Sequence, residues 1–132
     1  MPGMDHASFR DACLALAGAF EDHPFGPDAT VMKVSGRPGG PAKMFALLWD
    51  GSDPARANLK CEPDLADQLR AIHPEITPGY HMSKKHWNTV VCSGSVDDAM
   101  ARDLIEDSYD LVVESLPKAD RERLGWKGLA RG

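Results

Sequence analysis

A chain of 132 residues, 42% of them hydrophobic, holds one domain around one core and leaves no room for two. Its net charge of -5 argues against a strong, nonspecific grip on nucleic acid, because affinity for phosphates comes from many Lys and Arg contacts. The three cysteines, Cys13, Cys61 and Cys92, are too few and too widely spaced for a disulfide framework or a paired zinc motif. They suit a reducing, cytoplasmic location. The opening MPGMDHASFR lacks a basic region followed by an apolar run, and no stretch reaches the roughly twenty apolar residues that span a bilayer, so no membrane partner is expected.

Taken in chain order, Asp5 caps a first helix whose apolar positions Phe9, Ala12, Cys13 and Leu16 recur at helical spacing, with Gly18 near its end. The segment EDHPFGPDAT reads as a connection. TVMKV and KMFALLW then form two strands, joined through SGRPGGPA, a hairpin loop with Arg37 at its tip. ANLKC alternates, with Ala57, Leu59 and Cys61 on one side and Arg56, Asn58 and Lys60 on the other. Pro63 opens a second helix with Leu65, Leu69 and Ile72 on its apolar face, and Pro74 stops it. TPGYHMSKKHWNTV is a turn, an extended entry and a strand. Ser95 and Asp98 form a near capping box for a third helix, with Ile105, Tyr109, Val112 and Leu116 on one face.

This order of elements predicts an α+β fold: an antiparallel sheet with helices packed on one face and the other face solvated, where Arg56 and Lys60 would emerge. Residues 1–118 make the single domain, and residues 119–132 are expected as a peripheral C-terminal tail. Charge is distributed unevenly. Residues 30–90 hold eight Lys and Arg against six Asp and Glu, whereas residues 1–29 hold one against five and residues 91–132 six against nine. A mildly basic sheet between acidic helices suits a polar partner on the sheet side.

KMFALL, NLKCEP, ITPGYHMSKKHWNTV and DSYDLVVESLPK, in that order, resemble the MmcQ/YjbR family of small bacterial proteins, and the likeness runs from Phe9 to Lys118. It implies a fold similar to the CyaY (frataxin-like) α+β sandwich, and DNA binding through a "double wing" arrangement. The chain departs from the family pattern at the longer RPGGPA loop and at LAG, residues 16–18. Iron binding in CyaY-like proteins depends on an acidic ridge along the first helix. Asp5 and Asp11 are six apart here, and Glu21 and Asp22 fall past that helix, so the ridge is not reproduced.

The chemistry-bearing residues point away from catalysis. His81 and His86 are five apart, on opposite faces of a strand, with no supporting ligand nearby, so no metal or cofactor is expected. No nucleophile signature surrounds any cysteine, and no phosphate-cradling glycine loop sits between a strand and a helix. The chain therefore reads as a non-enzyme. Candidate contacts to nucleic acid are Lys84, Lys85 and His86 in the turn, Arg37 and Lys43 beside the hairpin tip, and Lys60 on the solvated face. Tyr80 and Trp87 either stack on bases or anchor the turn against the core. Two classes of function follow: a weak or partner-assisted DNA-binding module, and a protein-interaction or structural domain with no nucleic acid role.

Overall fold

In the computed structural model, which describes residues 3–126 and Gly128, one six-stranded antiparallel sheet carries all its helices on one side or at its ends. The elements run α1 (His6–Leu14), β1 (Ala19–Asp22), a 3-10 turn (Gly26–Asp28), β2 (Ala29–Ser35), β3 (Ala42–Trp49), β4 (Arg56–Lys60), α2 (Pro63–Ile72), β5 (Ile76–Pro78), β6 (Trp87–Val91), α3 (Asp98–Glu114) and α4 (Lys118–Arg123). The strand order is β1-β2-β3-β4-β6-β5. The α+β class and the antiparallel sheet agree with the reading from sequence.

Register sorts the side chains onto two faces, since residues paired across strands point the same way. Met32, Ala46, Leu59, Ala57 and Val90 share the face under the helices and are buried. α3 lies along β3 and β4, and α1 lies beside it, so Phe9, Cys13, Ile105, Tyr109 and Val113 close this core from above. Met32 pairs with Ala46 and Lys33 with Met44, which leaves Phe45 as an extra residue in β3. This bulge turns both Phe45 and Ala46 into the core. The buried Ser108 hydroxyl of α3 donates to the Phe45 carbonyl at 2.5 Å and accepts the Lys60 N–H at 2.8 Å. One helix hydroxyl thus serves the backbone of two strands. The Tyr109 hydroxyl donates to the Ala17 carbonyl at 2.6 Å, and its ring meets Phe45 edge to face.

Several local expectations change. Residues 21 and 22, read as connection, belong to β1, an edge strand with no apolar alternation that exists because β2 offers it a ladder. α1 stops at Leu14, before Gly18. Its cap is as expected: the Asp5 carboxylate accepts the Ser8 N–H at 2.8 Å. α2 buries Ala66, while Ile72 is 69% exposed because the helix covers only the β5 end of the sheet. The cap of α3 is Asp97, which accepts the Met100 N–H, and not the Ser95–Asp98 pair. Residues 118–126 form α4 and the turn after it, and Leu124 and Trp126 pack against the core; Lys127 and residues 129–132 of the expected C-terminal tail lie outside the described residues. Among the described residues, no helix is long and apolar enough to cross a membrane.

Candidate functional site

The face of the sheet away from α1 and α3 carries Lys33, Met44, Leu47, Trp49, Arg56, Asn58, Lys60, Trp87 and Thr89. Its principal cover is the segment 79–86, which leaves β5 and returns to β6. This strap is pinned at Gly79 and Tyr80. The Gly79 N–H donates to the Trp87 carbonyl at 2.9 Å, and a Cβ on Gly79 would lie 2.8 Å from the Trp87 Cβ, so only glycine fits that approach. The Tyr80 N–H donates to the Thr89 hydroxyl at 2.9 Å, and the Tyr80 carbonyl accepts from the Asn58 amide at 2.9 Å. Thr89 in turn donates to the Asn58 amide oxygen at 2.6 Å. Two buried polar side chains on paired strands satisfy one another and hold a loop residue over the sheet. His81 follows in the left-handed region, φ 60°, with its ring centroid 3.9 Å from that of Tyr80.

Held this way, the Tyr80 ring stays half exposed and lies 6.2 Å from the Trp49 ring. The Arg56 guanidinium sits 4.1 Å over Trp49 and 5.7 Å from Tyr80, a cation against two aromatic faces. Beside them runs an apolar groove of about 360 Å³, walled by Phe25, Met44, Leu47, Trp49, Tyr80 and Met82. Phe25 stands 62% exposed at its rim.

The cations proposed from sequence fall into two groups. Lys84, Lys85 and His86 are exposed on the strap, and Lys60 pairs with Trp87 across β4 and β6. The Cys61 N–H donates to the His86 carbonyl at 2.8 Å, which brings the end of β4 against the end of the strap. Arg70 of α2 donates to the Lys84 carbonyl and, at 2.7 Å, to Asn88, so this end of the strap has a second anchor. Lys43 and Arg37 lie apart from these. Lys43 pairs with the core residue Val34 and donates to the Ser115 hydroxyl at 3.1 Å, and Arg37 meets Asp120 at 3.4 Å. Both belong to the end of the molecule where α3 gives way to α4.

Neither aromatic of the strap region is core: Trp87 is half-buried on the open face, and Tyr80 is half exposed. Sequence reasoning missed Trp49 and Phe25. Trp49 looks like the end of an apolar run, and only the bulge at Phe45 reveals which face it takes. Among the described residues, Arg56, Lys60, Lys84 and Lys85 enter no ion pair, whereas Lys33 is held by Asp22 at 2.7 Å and Arg10 by Glu21 at 2.7 Å. The cysteines are all buried and free, and burial pushes the Cys61 thiol up to about 11, Cys92 to about 12 and Cys13 higher still. None is poised as a thiolate at neutral pH.

Comparison with known proteins agrees with this architecture. The family model described as YjbR matches residues 14–111. The uncharacterized protein YbdF of Escherichia coli O157:H7 is 41% identical over 125 residues, covering 92% of this chain and 98% of its own. The uncharacterized protein YjbR of Escherichia coli K12 is 32% identical over 112 residues, covering 85% and 90%. The crystal structure of the Deinococcus radiodurans protein DR2400, with a DUF419 domain, superposes with a TM-score of 0.85 at 35% identity, over 98% of this chain and 94% of that one. A Pseudomonas syringae protein superposes with a TM-score of 0.67 at 32% identity, over 82% and 98%. With a family model spanning most of the chain and relatives matched nearly end to end, the chain belongs to the YjbR family.

Proposed function

We propose that this protein is a non-enzymatic DNA-binding module that uses the open face of its sheet, with bases against Tyr80 and Trp49 and phosphates against Arg56, Lys60, Lys84 and Lys85. The observation that carries this reading is the company of the rings: Arg56 lies against Trp49 and Tyr80 on a sheet face that no helix covers, and among the described residues neither it nor Lys60, Lys84 and Lys85 enters an ion pair. A sheet face with the half-exposed Tyr80 ring beside a cation suits unpaired bases better than a duplex groove, which admits a helix or a ribbon. The net charge of -5 makes the binding weak and dependent on salt.

A second reading rests on the groove between Phe25 and Met82, whose apolar walls suit a side chain of a protein partner. Titration of labelled single-stranded and duplex oligonucleotides at two salt concentrations separates the two. The DNA reading expects single strands to bind more tightly, with a log-log salt slope of roughly -0.7 per phosphate contact. Replacing Lys84 and Lys85 together by alanine flattens the slope, and Tyr80→Ala weakens binding by the equivalent of about 1–3 kcal/mol. Absence of binding at low salt removes the DNA reading in favour of the protein-partner one.

A further inference from the structure

Where the β2–β3 hairpin, the turn from α1 into β1 and α4 meet, they border an open cleft of about 690 Å³ lined by Gly18, Phe20, Gly36, Arg37, Pro38 and Arg123 among others. Its walls are brought together by contacts that tolerate little change. Gly18 has φ 72°, and a Cβ there would fall 2.4 Å from the Ser35 carbonyl oxygen; its own carbonyl accepts the Ser35 N–H at 3.2 Å. Gly36 lies so close to α4 that a Cβ would come within 2.5 Å of the Asp120 Cβ. The Asp120 side chain is 1% exposed, and one of its oxygens meets Arg123 at 3.2 Å and Arg37 at 3.4 Å.

One guanidinium is enough to balance a buried carboxylate. Here two converge on the same oxygen, one from the hairpin and one from α4, which leaves a surplus positive charge at the cleft. Both side chains remain about half exposed, 47% for Arg37 and 49% for Arg123. A guanidinium has five N–H donors, and among the described residues Asp120 is the acceptor each fork meets, so donors remain for another acceptor while Asp120 fixes where the two forks stand. Phe20, 40% exposed, and Pro38 supply apolar surface in the same cleft. The volume falls within the roughly 300–1,000 Å³ of ordinary small-molecule sites.

We infer that this cleft binds a small phosphate monoester of mononucleotide size, its phosphate between Arg37 and Arg123 and its ring against Phe20 and Pro38, with Asp120 as the positioning residue. Phe20, paired with Lys33, brings the cleft to the edge of the open face, but none of Trp49, Arg56, Lys60, Tyr80, Lys84 and Lys85 lines it, so the inference is independent of the DNA reading. Paired arginines favour phosphate because the planar fork matches two of its oxygens at once. Gly18 and Gly36 let the α1–β1 turn and α4 close against the hairpin, which sets the walls of the cleft beside the forks.

Isothermal titration calorimetry with the four ribonucleoside 5′-monophosphates, their parent nucleosides and inorganic phosphate tests this. At least one monophosphate should bind at least tenfold more tightly than both its nucleoside and inorganic phosphate. Arg37→Gln and Arg123→Gln, each of which leaves Asp120 one partner, should each weaken that binding at least tenfold. Phe20→Ala, at an exposed position, should weaken the monophosphate while leaving inorganic phosphate unchanged. The double variant Lys84→Ala and Lys85→Ala should bind like the wild type, which separates this cleft from the open face. No binding of any monophosphate overturns the inference, as do equal affinity for nucleoside and monophosphate, unchanged binding in both arginine variants, or loss of binding in the lysine variant. Circular dichroism melts of every variant confirm that a loss is not unfolding.

Discussion

The Thr89 hydroxyl donates to the Asn58 amide oxygen at 2.6 Å, with both side chains buried on the side of the sheet that no helix covers. This pair is what Tyr80 rests on. Its N–H and carbonyl are both held by the two side chains, which fix the backbone over the sheet, while the ring meets His81, Trp49 and Arg56.

Thr89→Val keeps the shape of the site and removes the hydroxyl, leaving the Tyr80 N–H and the Asn58 oxygen without partners. The expected cost is about 1–3 kcal/mol in urea unfolding. Hydrogen exchange at Tyr80 should quicken more than at core amides. Unchanged exchange would mean that the strap is held elsewhere.

Ser108→Ala removes the hydroxyl shared by the Phe45 carbonyl and the Lys60 N–H. Two backbone groups in the middle of the sheet lose their partner, and about 1–3 kcal/mol of stability should go with them. Phe45→Ala, which empties a buried ring site at the bulge, should cost more, about 3–5 kcal/mol. Chemical denaturation of the two variants ranks them.

Trp87 is half-buried on the open face, so Trp87→Ala should fall below the roughly 3–5 kcal/mol of a buried aromatic truncation. The double variant Lys84→Ala and Lys85→Ala should stay within about 0.5 kcal/mol of the wild type per site, since both lysines are exposed and enter no ion pair among the described residues. Thermal melts of both variants check the contrast.

Buried Cys13, Cys61 and Cys92 should resist a thiol reagent at pH 8 until the protein is unfolded, whereupon all three react. Burial holds their folded values above the ordinary 9.0, so the unfolded chain ionises first as the pH rises. Stability is present below that ordinary value and is lost progressively above it. A melting temperature flat from pH 8 to 11 would contradict this.

At the acid end the sign is opposite. Hydrogen bonds from Arg10 hold Glu21 below its usual 4.5, Lys33 and the His23 N–H do the same for Asp22, and the Ser95 hydroxyl and N–H for Glu75. Stability from these groups is present above the ordinary carboxylate range and is lost as the pH falls through their lowered folded values. Glu21→Gln should flatten that acid decline in melts between pH 6 and 2. An identical profile would show that the Arg10 pair contributes nothing to it.

Much of the architecture is written in short-range pattern. The spacing of Ile105, Tyr109 and Val112 marks one face of α3, the alternation through Arg56–Lys60 marks both faces of β4, and together with hairpin-type connections they imply an antiparallel sheet with one covered face. Such patterns are legible because helix and strand periodicities repeat within a few residues. β1 lacks this signal: AFED becomes a strand only because β2 is there to pair with it. Both faces depend on still longer distances: on the open face Asn58 and Thr89 are 31 positions apart, and on the covered face Ser108 meets Phe45 from 63 positions away. A buried hydrogen bond depends on which groups meet when water is removed, and no local periodicity records that meeting. For the same reason Arg37, legible in the sequence only as a hairpin-tip cation, becomes a partner of Arg123 only when α4 buries Asp120 against the hairpin.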